Sequence, residues 1–331
     1  MRARTTITAL FGATLLLGVA SHGSAQVQPL PEDTLEFHYE GRRSVWLALG
    51  QVTAINGAVW SFDHFVRRKP VYDISPQSMV ANIQRIPEWD TNPFPMNHLA
   101  HPYNGVLYYG SARAEGFSFL ESSAFTFIGS LQWEYLWEVA PPAANDLYFT
   151  VLGGIALGES FGRMSAAMRE NRRGGLLGIG QTLLGMGLDP GGTISRGVLG
   201  GSTPRGWARP DIRTRTQLGA STGSNSLAYS AGQPVPAGGT RGFFRYEIEY
   251  GDRFASRRPS FFDAFELDLQ LSGGSDGFSI DELRIRGVLL SGPEDKNGRG
   301  LSRLFLDQEF EFSRNPSYAL GTQSFNASYR Y

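Results

Sequence analysis

The sequence predicts an α+β fold, a helical bundle or plug segment followed by antiparallel β-strands. Three observations carry that expectation. Apolar residues recur at helical spacing from about Ser44 to Gly187, they alternate with period two from about Arg213 to Tyr331, and a Gly/Pro-rich tract (Asp189 to Gly192, then 200–210) separates the two patterns. Of the 331 residues 41% are hydrophobic and 12% aromatic, too much apolar surface for a disordered chain, while only 18% are charged. The lack of Cys excludes a disulfide framework, a thiolate metal site and a cysteine nucleophile. A net charge of -1 supplies no field for nucleic acid, so no nucleic-acid partner is expected.

Residues 1–25 read as a signal peptide. Arg2 and Arg4 precede the apolar run Ile7 to Ala20, and Gly23-Ser24-Ala25 offers the small residues of a cleavage site after Ala25. The run is shorter than the ~20 residues of a spanning helix, which favours cleavage over anchoring. The helical segment then occupies 26–200. Ser44 to Phe62 holds no charge, but Gln51 and Asn56 inside it predict a helix buried in protein rather than a membrane span. A Pro-rich approach from Trp89 to His98 leads to a helix at His101, with Pro102 in the first turn where its missing N–H costs nothing. Gly105, Tyr109, Ala112 and Gly116 share one face of that helix, which lets another backbone come close. A second helix, about Ser122 to Val139, aligns Ser130, Glu134 and Glu138 at i, i+4, i+8. A third, about Asp146 to Arg169, carries a Gly154–Gly158–Gly162 seam and the pair Glu159/Arg163 at i, i+4. Residues 174–187 read as another closely packed helix, because no strand precedes them and no Gly-Lys-Ser/Thr follows as a phosphate loop requires.

The β segment, 201–331, contains five two-faced strands. Phe244, Tyr246, Ile248 and Tyr250 alternate with Arg245, Glu247 and Glu249. Phe265 to Leu271 alternate with Glu266, Asp268 and Gln270, and the pattern returns at 283–289, 304–312 and 325–331. Thr214 to Ser221 supplies a sixth. Alternation suits a soluble sandwich as well as a membrane barrel. Export, strand lengths near ten residues and an aromatic C-terminus favour the barrel, so these are read as antiparallel transmembrane-type strands of a partial or small outer-membrane barrel. In that reading the charged faces point into a lumen or toward the helices and the Phe, Leu and Tyr faces toward lipid. Five or six strands fall short of the eight of the smallest bacterial barrels.

Buried charge requires partners. The candidate polar network is His101, Tyr109, Arg113, Glu134, Glu138, Glu159 and Arg163, with Arg113 and Arg163 expected to offset the three glutamates. All but two of the 30 basic residues are arginine (Lys69 and Lys296 are the exceptions), which suits both multidentate pairing inside the protein and contact with phosphorylated glycolipid. His98 and His101 at i, i+3 lack an H-E-x-x-H pattern, so neither a metal nor another cofactor is expected.

The motifs Trp89-Asp90-Thr91-Asn92-Pro93-Phe94, His101-Pro102 with Gly105, Tyr108-Tyr109, Ala112-Arg113 and Gly116, Ser130 with Trp133-Glu134-Tyr135 and Glu138, Asp146, Gly153-Gly154, Gly158-Glu159 and Arg163 together resemble the bacterial envelope family catalogued as domain of unknown function 3943. The match runs over about residues 85 to 200, and Asp189-Pro190 to Arg196 is similar too. The resemblance implies an outer-membrane barrel protein with a helical segment and implies no reaction. The expected function is a structural or envelope-maintenance role at the outer membrane, with outer-membrane lipid as partner. The alternative is an outer-membrane lipid hydrolase acting on lipid A or phospholipid through His101, a nearby serine and a carboxylate. The sequence has the residue types for it but no G-x-S-x-G elbow.

Overall fold

The computed structural model describes residues 43–201, 211–223, 239–254, 261–274, 277–292, 301–314 and 318–330, together with two-residue strands at 38–39, 204–205, 229–230, 233–234 and 295–296. The signal-peptide reading of 1–25 and the terminal Tyr331 lie outside the described residues.

Among the described residues seven α-helices form the first layer, and most start where a capping side chain or a proline deals with the free N–H groups of a first turn. Helix α1 (Val45–Ser61) is capped by Ser44, whose hydroxyl accepts Leu47 N–H, and α2 (Pro76–Ile83) by a reciprocal Ser75/Ser78 box. Helix α3 (His101–Ala114) has Pro102 in its first turn, and α4 (Phe119–Gln132) opens on a Ser118/Glu121 capping box. Helix α5 (Ala144–Glu170) runs 27 residues through the middle of the protein. Helix α6 (Gly175–Leu188) follows, and α7 (Pro190–Val198) is capped by the Asp189 carboxylate, which accepts Gly192 N–H at 3.0 Å. Part of the tract expected to be turn and connection is therefore helical, because Asp189 caps it and Pro190 is pre-set for a first turn.

Three single π-helical turns interrupt the regular pattern: Phe62–Val66 after α1, Met96–Ala100 before α3, and Trp133–Trp137 after α4. The last corrects the helix expected over Ser122 to Val139. The α-helix stops at Gln132, a wide turn follows, and Glu138 is already extended ahead of Pro141-Pro142, where a helix cannot continue. Helix α1 is corrected in a different way. Its Gln51 and Asn56 do point inward, Asn56 donating to Gly129 O at 3.1 Å and Gln51 to Glu115 Oε1 at 2.8 Å. Ala48 and Val52 are buried on the same side, but the helix is only partly covered by protein: Trp46 is 84% exposed, and Phe62, Phe65 and Val66 beyond it are exposed as well. The stretch Val45–Val66 has the length and apolarity of a membrane span.

Helices α3 and α5 cross backbone to backbone at two glycines. A Cβ on Gly105 would lie 2.7 Å from the Gly154 Cα, and Gly158 faces the Tyr109 ring. The second layer is a meander of six long antiparallel strands in sequence order: β1 (Ile212–Gly223), β2 (Gly239–Tyr250), β3 (Phe265–Gly274), β4 (Gly277–Ser291), β5 (Leu301–Arg314) and β6 (Ala319–Arg330). Their register aligns Thr214, Ile248, Leu267, Ile285, Phe310 and Gln323 in one row across the sheet.

The sheet is not a closed barrel, since β1 and β6 stand at opposite ends of the strand order and, among the described residues, do not pair with each other. One expectation about these strands is corrected. The apolar face of the sheet is turned the other way: Ile248, Leu267, Ile285, Phe310 and Phe312 pack on Val106 of α3 and Ala156, Leu157 and Phe161 of α5. The helices serve as the apolar environment that alternation alone had assigned to lipid. On the opposite face the charges neutralise one another across neighbouring strands. Arg215 pairs with Glu247, Arg245 with Glu247 and Asp268, Arg284 with Asp268, and Arg286 with Glu309. We expect Leu267→Arg to abolish recovery of folded protein, since it forces a cation against α5, whereas Glu249→Gln on the open face leaves recovery within about twofold of wild type. Circular dichroism and yield after purification measure both, and equal tolerance would contradict the assigned faces.

Candidate functional site

The seven candidate network residues separate into two clusters with opposite electrostatic character. In the first, Glu159 on α5 is 2% exposed and fully engaged. Arg113 of α3 donates to Glu159 through Nε at 3.0 Å and through Nη2 at 3.1 Å, Arg163 donates through Nε at 2.9 Å, and the Tyr109 hydroxyl donates at 2.8 Å. Arg163 continues to Asp263 and Phe261 O beside the sheet, at 3.1 and 2.8 Å. Burial alone would raise the Glu159 pKa, yet the two guanidiniums hold it below the usual range. Every strong donor here has an acceptor, which is the arrangement of an internal brace tying α3, α5 and the sheet.

The second cluster contains His101, Glu134 and Glu138, and it corrects the expectation that Arg113 and Arg163 offset those glutamates. Both arginines are committed to the first cluster. Among the described residues no Arg or Lys makes an ion pair with Glu134, Glu138, Asp146 or Asp90. The side chains converge from four places. His101 is the first residue of α3, Glu134 lies in the π turn Trp133–Trp137, Asp146 stands in the first turn of α5, and Asp90 belongs to the Pro-rich approach. That approach is pinned beside α5 by Glu88 N donating to Pro142 O at 2.8 Å and Ala144 N donating to Glu88 O at 2.7 Å.

Around this centre the amide side chains act as spacers. Asn145 Nδ2 donates to Asp90 Oδ1 at 2.6 Å and to Asp146 Oδ1 at 3.0 Å, its Oδ1 accepts Asp90 N–H at 2.9 Å, and Asn97 Nδ2 donates to Asp90 Oδ1 at 2.8 Å. The His101 ring is held at both nitrogens, Nε2 lying 3.3 Å from Asp146 Oδ2 and Nδ1 3.4 Å from the Thr150 hydroxyl. Glu134 Oε2 accepts Ala143 N–H at 2.8 Å, and Trp133 Nε1 donates to Glu138 at 2.6 Å. One ligand-type atom each from His101, Glu134 and Asp146 lies within 4.8 Å of the other two.

Crowded carboxylates without a cation titrate abnormally. Burial, then Glu138, raises Glu134 well above the ordinary range. Burial pushes Glu138 up to about 7 and, with Asp90, pushes Asp146 up to about 8, while burial pushes His101 down to about 4. A carboxyl whose folded pKa lies above its unfolded value contributes stability that is complete below the unfolded value and is lost as pH rises through the folded one. A histidine with a lowered pKa acts in the opposite sense between about 4 and 6.5, so only the carboxyls act above that. Thermal midpoints measured in EDTA are therefore expected to fall by several degrees between about pH 6.5 and 8.5. A midpoint that rises over that window would contradict the arrangement.

Sequence reasoning found His101, Glu134 and Glu138 and noted Asp146 and the Asp90 motif, but it missed that Asp146, Asp90, Asn97 and Asn145 complete the second cluster. The usable signal was Asp90, Asn97 and Asp146 as polar residues flanking predicted helix starts. His98, paired with His101 in the sequence, instead packs edge-on against Phe149, with ring centroids 4.2 Å apart. The hydroxyl at the His101 ring belongs to Thr150 rather than to a serine.

Residues 86–191 match the model of a family described as Domain of unknown function (DUF3943), which bears out the resemblance over that stretch. Both clusters fall inside the matched residues, apart from Asp263 and Phe261. No curated protein and no solved structure matched the chain.

Proposed function

We propose that the protein is an exported outer-membrane protein of the bacterial envelope, with a structural or envelope-maintenance role rather than turnover of a substrate. The observation that carries this reading is apolar surface left uncovered in two places. The helices cover the middle of the sheet's apolar face, but Leu218, Leu304, Phe325 and Tyr329 near its margins stay exposed, as do Val45, Trp46, Phe62, Phe65 and Val66 of the apolar stretch Val45–Val66. Patches of that kind mark contact with a membrane or a protein partner. Among the described residues the outer edges of β1 and β6 carry no partner strand, which leaves room for a membrane-type barrel to close with further strands.

Sucrose-gradient fractionation of the native organism's envelope tests the reading. Co-migration with lipopolysaccharide is the expected result, and recovery from the inner membrane or the soluble periplasm would overturn it. The lipid-hydrolase alternative draws on one observation, the alignment of Thr150, His101 and Asp146. Thr150 is only 3% exposed, so a lipid carbonyl has no direct route to its hydroxyl. A well-folded His101→Ala protein with an altered lipid A or phospholipid profile by mass spectrometry would favour that alternative.

A further inference from the structure

We propose that His101, Glu134 and Asp146 bind one divalent transition-metal cation of the zinc class, joining the start of α3, the π turn after α4 and the first turn of α5. The donors come from three separate elements and already lie within 4.8 Å of one another. Nitrogen and oxygen ligands about 2.0–2.2 Å from a shared ion are separated by at most about 4.4 Å, so closing on a cation needs only a small movement of side chains. The set also has an unfilled bonding position. Glu134 is 2% exposed, and beyond the Ala143 N–H on its Oε2 no second hydrogen bond reaches its carboxylate among the described residues. One turn earlier, the buried Ser130 hydroxyl lacks a partner too.

Charge points the same way. Four carboxyls, those of Asp90, Glu134, Glu138 and Asp146, gather without an ion pair to any arginine or lysine among the described residues, in a protein that spends two arginines on the single buried glutamate of the neighbouring cluster. A bound dication would supply the missing countercharge. The imidazole decides the class of ion: Ca²⁺ and Mg²⁺ take oxygen ligands almost exclusively, whereas one histidine with two carboxylates suits Zn²⁺ and its transition-metal neighbours. The supporting groups are also in place. The Thr150 hydroxyl at Nδ1 leaves Nε2 facing the carboxylates, and Asn145 steadies Asp146. Asp90, half-buried beside the exposed Asn92, marks a route for an ion from solvent.

The test uses the full-length protein, stripped with a chelator and re-equilibrated with Zn²⁺, with bound metal read by equilibrium dialysis and mass spectrometry. About one tightly bound equivalent per chain is expected, weakened about tenfold or more by Asp146→Asn and by Glu134→Gln, while Asp268→Asn on the sheet's polar face binds as wild type does. Less than about a tenth of an equivalent on the wild-type protein would overturn the proposal, as would unchanged binding by both site variants. Should the site variants fail to fold, Co²⁺ substitution of the wild-type protein decides. Visible d–d bands of a histidine–carboxylate site, displaced by Zn²⁺, are expected, and a spectrum identical to that of aqueous Co²⁺ would overturn the proposal.

Discussion

Glu159→Ala is expected to cost about 3 to 5 kcal/mol, the largest stability loss of any single substitution in the helical layer, because it removes the buried carboxylate that two buried guanidiniums share. Arg113 would keep Phe117 O at 2.9 Å, and Arg163 would keep Asp263 and Phe261 O. For a chain of this size the loss corresponds to a thermal midpoint lower by roughly 10 °C and a several-fold fall in steady-state abundance. Glu159→Gln retains an acceptor for Tyr109 and one guanidinium and should lose less. Thermal melts followed by circular dichroism measure both variants. A shift under about 2 °C for Glu159→Ala would mean that the cluster is hydrated and weak rather than a brace.

The second large effect is expected at the α3–α5 crossing. A methyl group on Gly105 would meet Thr150 O at 2.1 Å and the Gly154 Cα at 2.7 Å, both of them backbone atoms. Neither can rotate away, so the helices must separate, and overpacking of this kind costs about 1 to 3 kcal/mol and sometimes more. The damage should extend beyond stability, because His101 lies one helical turn before Gly105 and Thr150, which orients its ring, lies one turn before Gly154. Gly105→Ala is therefore expected to displace the second cluster as well as lower the melting temperature. Gly187→Ala serves as the contrast: nothing lies within 4 Å of the added methyl, and replacing a helical glycine should stabilise by about 0.5 to 1 kcal/mol. Equal melting temperatures for the two variants would contradict the close crossing.

Much of the fold was legible because local chemistry announces it. Pro102 placed the start of α3, the Gly154–Gly158 seam announced a close crossing, and the strict alternation of Phe244 to Tyr250 and of Phe265 to Leu271 located β2 and β3 to within a few residues. The direction in which the strand faces point was not legible. Alternation distinguishes two faces, but what covers the apolar one depends on where α5 comes to rest, a contact between distant parts of the chain. The same limit governs the polar residues. Helical spacing correctly joined Glu159 to Arg163, yet it also grouped Glu134 and Glu138 with arginines that lie elsewhere. Charge balance cannot be assigned from composition when two buried clusters share one helical layer. Asp146 and Asp90 read as a first-turn acid and a loop acid, roles common enough to hide their convergence on His101.

The π turns make the second cluster a matter of helical phase. A π turn amounts to an α-helix with one residue inserted, and each residue of an α-helix advances the side-chain direction by about 100°. Residues on either side of such a turn can be re-phased without changing composition, length of the helices or hydrophobic pattern by more than one position. Glu134 lies inside the turn Trp133–Trp137, and His101 immediately follows the turn Met96–Ala100. Deleting one residue from the first would let α4 run on as regular helix and rotate the polar stripe past the other donors, leaving the bundle's apolar contacts almost intact. The centre is thus poised on two single-residue offsets, so that a change of one in chain length could dissolve the site and spare the scaffold.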